Sequence, residues 1–192
     1  EGDWDELDMM VRAFQKATQS LKYSPKPVVA APFGMTLGGG CEFALGADRI
    51  RAAAELYMGL VEVGVGVIPA GGGCKELLVR MVESVPKDSD VDFFPLVKKV
   101  FETIGMAKVS TSAVDARELG FLHPSDGITM NKDFLLADAK ATVLAMVQEG
   151  YKQPSPRTDI PALGEPALAT LKLGMYLMKE AGRISEYDMH IG

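Results

Sequence analysis

Runs of strand length crowd into the first third of this chain, and helical periodicity governs the rest. Val28-Val29-Ala30-Ala31, Arg49-Ile50-Arg51-Ala52 and Leu56-Tyr57-Met58 are short, rich in apolar residues and bounded by proline, small or polar residues, as strands are. Ahead of them, Leu7, Met10, Val11, Phe14 and Leu21 recur at helical spacing and predict an amphipathic helix over 5–21, stopped by Ser24-Pro25-Lys26-Pro27. Further helices are predicted over 75–82, 94–104, 112–119, 132–147 and 166–180, and a last one from Ser185, with Ser112 and Ser185 as N-caps. Two or three strands are a thin base for an α/β layer. The pattern therefore predicts an α/β chain whose sheet has strands missing upstream and whose final helix is cut off at Gly192.

The 192 residues suffice for one ordinary domain with its own core, without disulfides or a structural metal. Hydrophobic residues at 47% and charged residues at 24% exclude a largely disordered chain. No apolar run reaches spanning length, so no membrane partner is expected. The formal net charge of −6 disfavours nucleic acid and anionic membranes, but leaves room for an anionic small-molecule substrate met by a local basic patch. Cys41 and Cys74 form no CxxC pair, which argues against a disulfide framework or thiolate zinc site. Both read as small buried residues in a reducing, cytoplasmic compartment. His123 and His190 stand far apart, so no metal site is expected. The first residues, Glu1-Gly2-Asp3-Trp4-Asp5, contain no signal peptide, and the absence of an initiator Met suggests that Glu1 is not the native start. The stretch from Pro86 to Asp92 reads as an exposed acidic loop, since no EF-hand glycine and glutamate follow it.

The chemistry-bearing region runs from Ala31 to Gly73. Glu42 directly follows Gly38-Gly39-Gly40-Cys41, and Glu62 sits in Met58-Gly59-Leu60-Val61-Glu62-Val63-Gly64-Val65-Gly66. Apolar or glycine neighbours on both sides predict partly desolvated carboxylates with raised pKa values, suited to act as an acid and a base on one reaction. The triple glycine predicts a sharp turn, with Cys41 opening a short helix; its bare backbone N–H groups can approach a carbonyl oxygen that gains charge. A plain turn, and glutamates that cap a helix or pair with an arginine, account for the same residues. Gly64-Val65-Gly66-Val67-Ile68-Pro69 lacks the third glycine of a dinucleotide fingerprint, and Gly71-Gly72-Gly73-Cys74-Lys75 lacks the spacing of a P-loop. The latter fits a backbone-rich loop that opens a helix.

The run Lys26-Pro27-Val28-Val29-Ala30-Ala31-Pro32-Phe33-Gly34-Met35-Thr36-Leu37-Gly38-Gly39-Gly40-Cys41-Glu42 resembles the signature of the crotonase superfamily, the enoyl-CoA hydratases and isomerases. Asp48-Arg49-Ile50-Arg51-Ala52, the stretch from Tyr57 to Gly73, and Ser112 to Leu122 continue the likeness. The resemblance implies a partial crotonase (ClpP-like) fold: a core over 1–122 with an N-terminally truncated sheet, and a helical region over 123–192, truncated at its end. It implies that Gly39 supplies half of the oxyanion hole, that Glu42 and Glu62 are the two catalytic acids, and that Met35, Leu37, Gly38, Met58 and Ala70 contact substrate, Ala70 at the end of a helix that points its N–H groups at the site. The implied partner is an acyl-CoA thioester, and a homo-oligomer is expected. No resident cofactor is expected in this region. Retention of both glutamates favours hydration over isomerisation; an isomerase, an acyl-CoA hydrolase and a non-catalytic assembly module are the alternatives. The family's other oxyanion donor has no counterpart here, and Leu60-Val61 stands where x-Pro is common. With the long stretch from Glu83 to Val100, the chain looks most like the hydratase part of fused 3-hydroxyacyl-CoA dehydrogenase/enoyl-CoA hydratase proteins of fatty-acid oxidation, with NAD expected only in an upstream dehydrogenase part.

Overall fold

A computed structural model describes residues 2–83, 85–86 and 90–192. Helix α1 (Trp4–Lys22) opens it, capped by the Asp3 side chain, which accepts from the Glu6 N–H. The chain then enters β1 (Val29–Ala30) and β2 (Gly34–Leu37), turns into α2 (Gly39–Leu45), and returns through β3 (Arg49–Ala53) and β4 (Leu56–Gly59). A 3₁₀ turn (Glu62–Val65) and α3 (Gly73–Val82) follow. The remainder is α4 (Phe94–Gly105), α5 (Ala113–Glu118), β5 (Gly127–Thr129), a second 3₁₀ turn (Lys132–Phe134), α6 (Leu135–Gln148), α7 (Gly164–Glu180) and α8 (Glu186–Ile191). Part of the expected acidic loop, Lys87-Asp88-Ser89, lies outside the described residues.

The described strands form two small parallel sheets, β1-β3-β5 and β2-β4. They outnumber the sequence expectation because β2 and β5 both begin at glycine, a residue depleted in strands, and are held by partners distant in sequence. Parallel pairing requires a crossover, and α2 lies in the connections from β1 to β3 and from β2 to β4. The core gathers Cys41 and Leu45 of α2, Ile50 and Ala52 of β3, Leu56 and Met58 of β4, Leu60, Leu77 of α3 and Phe121, each essentially inaccessible. Their burial drives the packing of α2 and α3.

Buried polar groups lock this core at defined points. The Ser110 hydroxyl donates to the Leu56 carbonyl and accepts from the Met58 N–H, extending the ladder beside β4. Asp126 accepts from the Ile50 N–H at 2.7 Å and the His123 N–H at 2.7 Å, and pairs with Arg80 of α3 at 3.4 Å. One buried carboxylate thus joins β3, α3 and the loop before β5. Ser112 and Ser185 cap α5 and α8 as the sequence predicts, Ser185 in a capping box with Asp188.

Candidate active site

Gly38 adopts φ +55, and its N–H continues the β2–β4 ladder by donating to the Gly59 carbonyl at 2.9 Å. A left-handed residue at that point reverses the chain within one step, so α2 starts at Gly39, two residues earlier than the sequence suggests. Gly39 is therefore the first helical residue, and its N–H has no intrahelical acceptor. Gly40 is exposed, and Glu42 lies one turn into the helix, 3% exposed.

The Glu42 carboxylate is tightly held. Its Oε1 accepts from the N–H groups of Gly71 and Gly73, both at 2.8 Å. These are the N–H groups at the mouth of α3, where the helix dipole favours negative charge. Burial pushes the Glu42 pKa up, while the glycine N–H donors pull against that shift. Here the structure corrects one expectation: Ala70 precedes α3 by three residues rather than ending a helix, and the N–H groups at that helix end serve Glu42. The Ala70 carbonyl accepts from Gln15 Nε2 at 2.8 Å.

Glu62 opens the 3₁₀ turn and is held differently. A Cβ placed on Gly38 would lie 3.3 Å from Glu62 Oε1, so this carboxylate lies alongside the glycine that starts α2. Its other oxygen, Oε2, is buried with no hydrogen-bond partner among the described residues. Burial is the main cause that raises its pKa; the Glu62 and Val61 N–H groups pull against that shift, and the negative charge of Glu42 adds to it. The fold therefore brings Glu42, Glu62, Gly38 and Gly39 to one place, the N-terminal end of α2.

Other predicted residues are scattered by strand geometry. In the β2–β4 register Met35 pairs with Tyr57 and Thr36 with Met58. Successive side chains alternate between faces, so Met35 lies 81% exposed while Met58 is wholly buried in the core. Leu37, at the end of β2, is half-buried. Cys41 is buried as expected, and its thiol pKa is pushed up mainly by burial. Cys74 is exposed, contrary to expectation, because the second residue of α3 faces outward at the helix mouth.

Helix α1 is a component that periodicity finds but does not place. Phe14 meets Phe43 in a tilted ring contact, 5.2 Å between centroids, and presses against Gly71, where an added Cβ would fall 2.2 Å from its ring. The buried Thr18 hydroxyl donates to the Gly71 carbonyl at 2.6 Å. A cleft of about 480 Å³ lies between α1 and the 68–76 segment, lined by Gln15, Thr18, Glu42, Ala70 and Lys75 among others.

Residues 5–85 match the enoyl-CoA hydratase/isomerase family. A Bacillus subtilis relative named probable 3-hydroxyacyl-CoA dehydrogenase is 49% identical over 186 residues, which is 97% of this chain and 23% of that protein. Among solved structures, an enoyl-CoA hydratase from Bacillus anthracis superposes with a TM-score of 0.60 at 24% identity, over 76% of this chain and 49% of the other. A Thermobifida fusca protein solved in complex with acetoacetyl-CoA gives 0.59 at 19% identity, over 97% and 59%. Residues 5–85 thus carry the enoyl-CoA hydratase/isomerase family of the crotonase superfamily. The chain spans about a quarter of its B. subtilis relative and about half of the B. anthracis structure. Its small open sheets and helix-rich C-terminal half form a partial crotonase-like α/β fold. Among the described residues, no three His, Cys, Asp or Glu side chains cluster to hold a metal ion, and no helix is long and apolar enough to cross a membrane.

Proposed function

We propose that this crotonase domain hydrates 2-enoyl-CoA to 3-hydroxyacyl-CoA in fatty-acid β-oxidation, within a larger, cytoplasmic, homo-oligomeric protein that also carries an NAD-dependent 3-hydroxyacyl-CoA dehydrogenase part. Residues 1–122 form the catalytic core and 123–192 its helical appendage. The observation that carries the reading is the pair of carboxylates at the start of α2, one satisfied by backbone donors and one with a buried, unpartnered oxygen.

The different surroundings divide the roles. Backbone N–H donors favour the ionised form of Glu42, which takes a proton from water as the water oxygen bonds to the β-carbon. Glu62 lacks such donors on Oε2 and feels the charge of Glu42, so it holds its proton and delivers it to the α-carbon. The C=C π bond breaks, one C–O and one C–H bond form, and a proton has passed to Glu42 and left Glu62. Charge that develops on the thioester oxygen faces the Gly39 N–H, half of an oxyanion hole. Gly38, Leu37, Met35, Met58 and Ala70 complete the proposed substrate-contacting set, with the acyl-CoA thioester as the partner.

The test is loss of the enoyl-thioester absorbance of crotonyl-CoA without nicotinamide cofactor. We expect Glu42→Gln and Glu62→Gln each to reduce the rate by about 10²–10⁴. Unchanged hydration in both variants sinks the reading. Double-bond migration or release of free CoA in place of a 3-hydroxyacyl-CoA replaces it with isomerisation or hydrolysis.

A further inference from the structure

The 3₁₀ turn that carries Glu62 is thinly anchored by its own residues. It is a single turn of four residues, a form that seldom persists without support. Val63 reaches the core, but Gly64 and Val65 are exposed, and so are Val67 and Ile68 just beyond. The turn closes at Gly66 in a left-handed conformation, φ +83, from which the N–H groups of Gly66 and Val67 reach the Glu62 carbonyl. The orientation of the Glu62 backbone thus depends on where Gly66 is held.

The partner that holds Gly66 comes from the other end of the chain. Tyr187 of α8, 121 positions downstream, donates its hydroxyl to the Gly66 carbonyl at 2.8 Å. Its ring covers the same residue: a Cβ on Gly66 would lie 3.2 Å from Tyr187 Cε1. Although the ring is half-exposed, its helix is well fixed. The Ser185–Asp188 capping box sets the start of α8, Ile191 packs on the core, and Met175 of α7 lies beneath Gly192.

We propose that Tyr187 is a positioning residue for Glu62, by which the C-terminal helix holds the catalytic turn in register with the start of α2. The proposal rests on the hydratase reading of Glu62. Tyr187 touches neither the carboxylates nor the reacting atoms; it acts through Gly66 and the Glu62 carbonyl. Loss of the hydroxyl frees the turn while leaving ring packing in place. The consequence is a lower fraction of productive Glu62 orientations, felt in the chemical step rather than in substrate capture.

The experiment compares Tyr187→Phe, Tyr187→Ala and Glu62→Gln in the full-length protein by crotonyl-CoA hydration, with thermal melting of each. The expected result is a fall in kcat of about three- to tenfold for Tyr187→Phe, the factor one neutral hydrogen bond is worth, with KM and melting temperature near wild type. A larger fall is expected for Tyr187→Ala. Wild-type kcat and KM in Tyr187→Phe, while Glu62→Gln is inactive, overturns the positioning role and leaves the hydratase reading intact. Full activity in Glu62→Gln removes the reading beneath it. A fall in melting temperature that accounts for the lost activity, with kcat per folded molecule unchanged, also overturns the proposal.

Discussion

Glu42 and Glu62 are the same residue type twenty positions apart, yet the two regions hold them by opposite means. Glu42 lies in a closed, hydrogen-bonded nest: α1 packs over the 69–72 loop, and that loop and the first residue of α3 turn two N–H groups onto one carboxylate oxygen. Glu62 lies on a short turn with exposed flanks, one oxygen buried without a donor, its orientation set by a backbone carbonyl and a distant helix. Backbone N–H groups cannot be moved without moving the chain, so the first site is stiff and its donors oppose the upward shift that burial causes. Burial, with one oxygen unpartnered and the Glu42 charge nearby, works against ionising the second site, which suits a group that must hold a proton.

The stiff region breaks hardest. A methyl group at Gly71 would meet the Phe14 ring at 2.2 Å and Glu42 Oε2 at 2.6 Å. Gly71→Ala is expected to destabilise by about 1–3 kcal/mol and to cut hydration by on the order of 10²-fold through misplacement of Glu42, measured by denaturant melts and kinetics. Pairing it with Phe14→Ala relieves the ring contact but not the carboxylate contact, so stability recovers more than activity. Next in size is Thr18→Val, which preserves shape and removes the hydroxyl from the buried Gly71 carbonyl. It should cost about 1–3 kcal/mol, and an unchanged melt would show that α1 does not clamp the loop.

The smallest effect probes the two carboxylates directly. Both folded pKa values are raised, so the stability tied to protonation is fully present below the unfolded glutamate value and is lost as pH rises through the folded one. Glutamine mimics the protonated form and does not suffer that loss. Glu62→Gln is therefore expected to melt above wild type at about pH 8, with the gain disappearing towards about pH 4, below the ordinary glutamate value. Glu42→Gln should gain less, because the Gly71 and Gly73 donors already offset the ionised form. Equal gains at both positions would erase the distinction between the sites.

Local signals found much of this molecule. The periodicity over 5–21 found α1 to within a residue at each end, since an amphipathic helix declares its face wherever it packs. The serine caps and the helix after Gly71-Gly72-Gly73 were equally legible, because capping and glycine loops are short-range chemistry. The strands β2 and β5 were not, since each exists only through pairing with β4 or β3.

The residue order by itself determined that two glutamates sit in apolar, glycine-rich surroundings, that a glycine turn precedes the first, and that helices dominate the C-terminal half. Each follows from spacing and composition within a few residues. The tertiary structure alone decided which partners the carboxylates have: that α3 turns its N–H groups onto Glu42, that Glu62 Oε2 is left without one, and that Met35 and Met58 face opposite ways. It alone brought Phe14, Thr18 and Tyr187 to the glycine segments around the site. The reason is physical: burial and hydrogen-bond partnership are relations between segments distant in the chain, and nothing in the local sequence of either segment encodes the other.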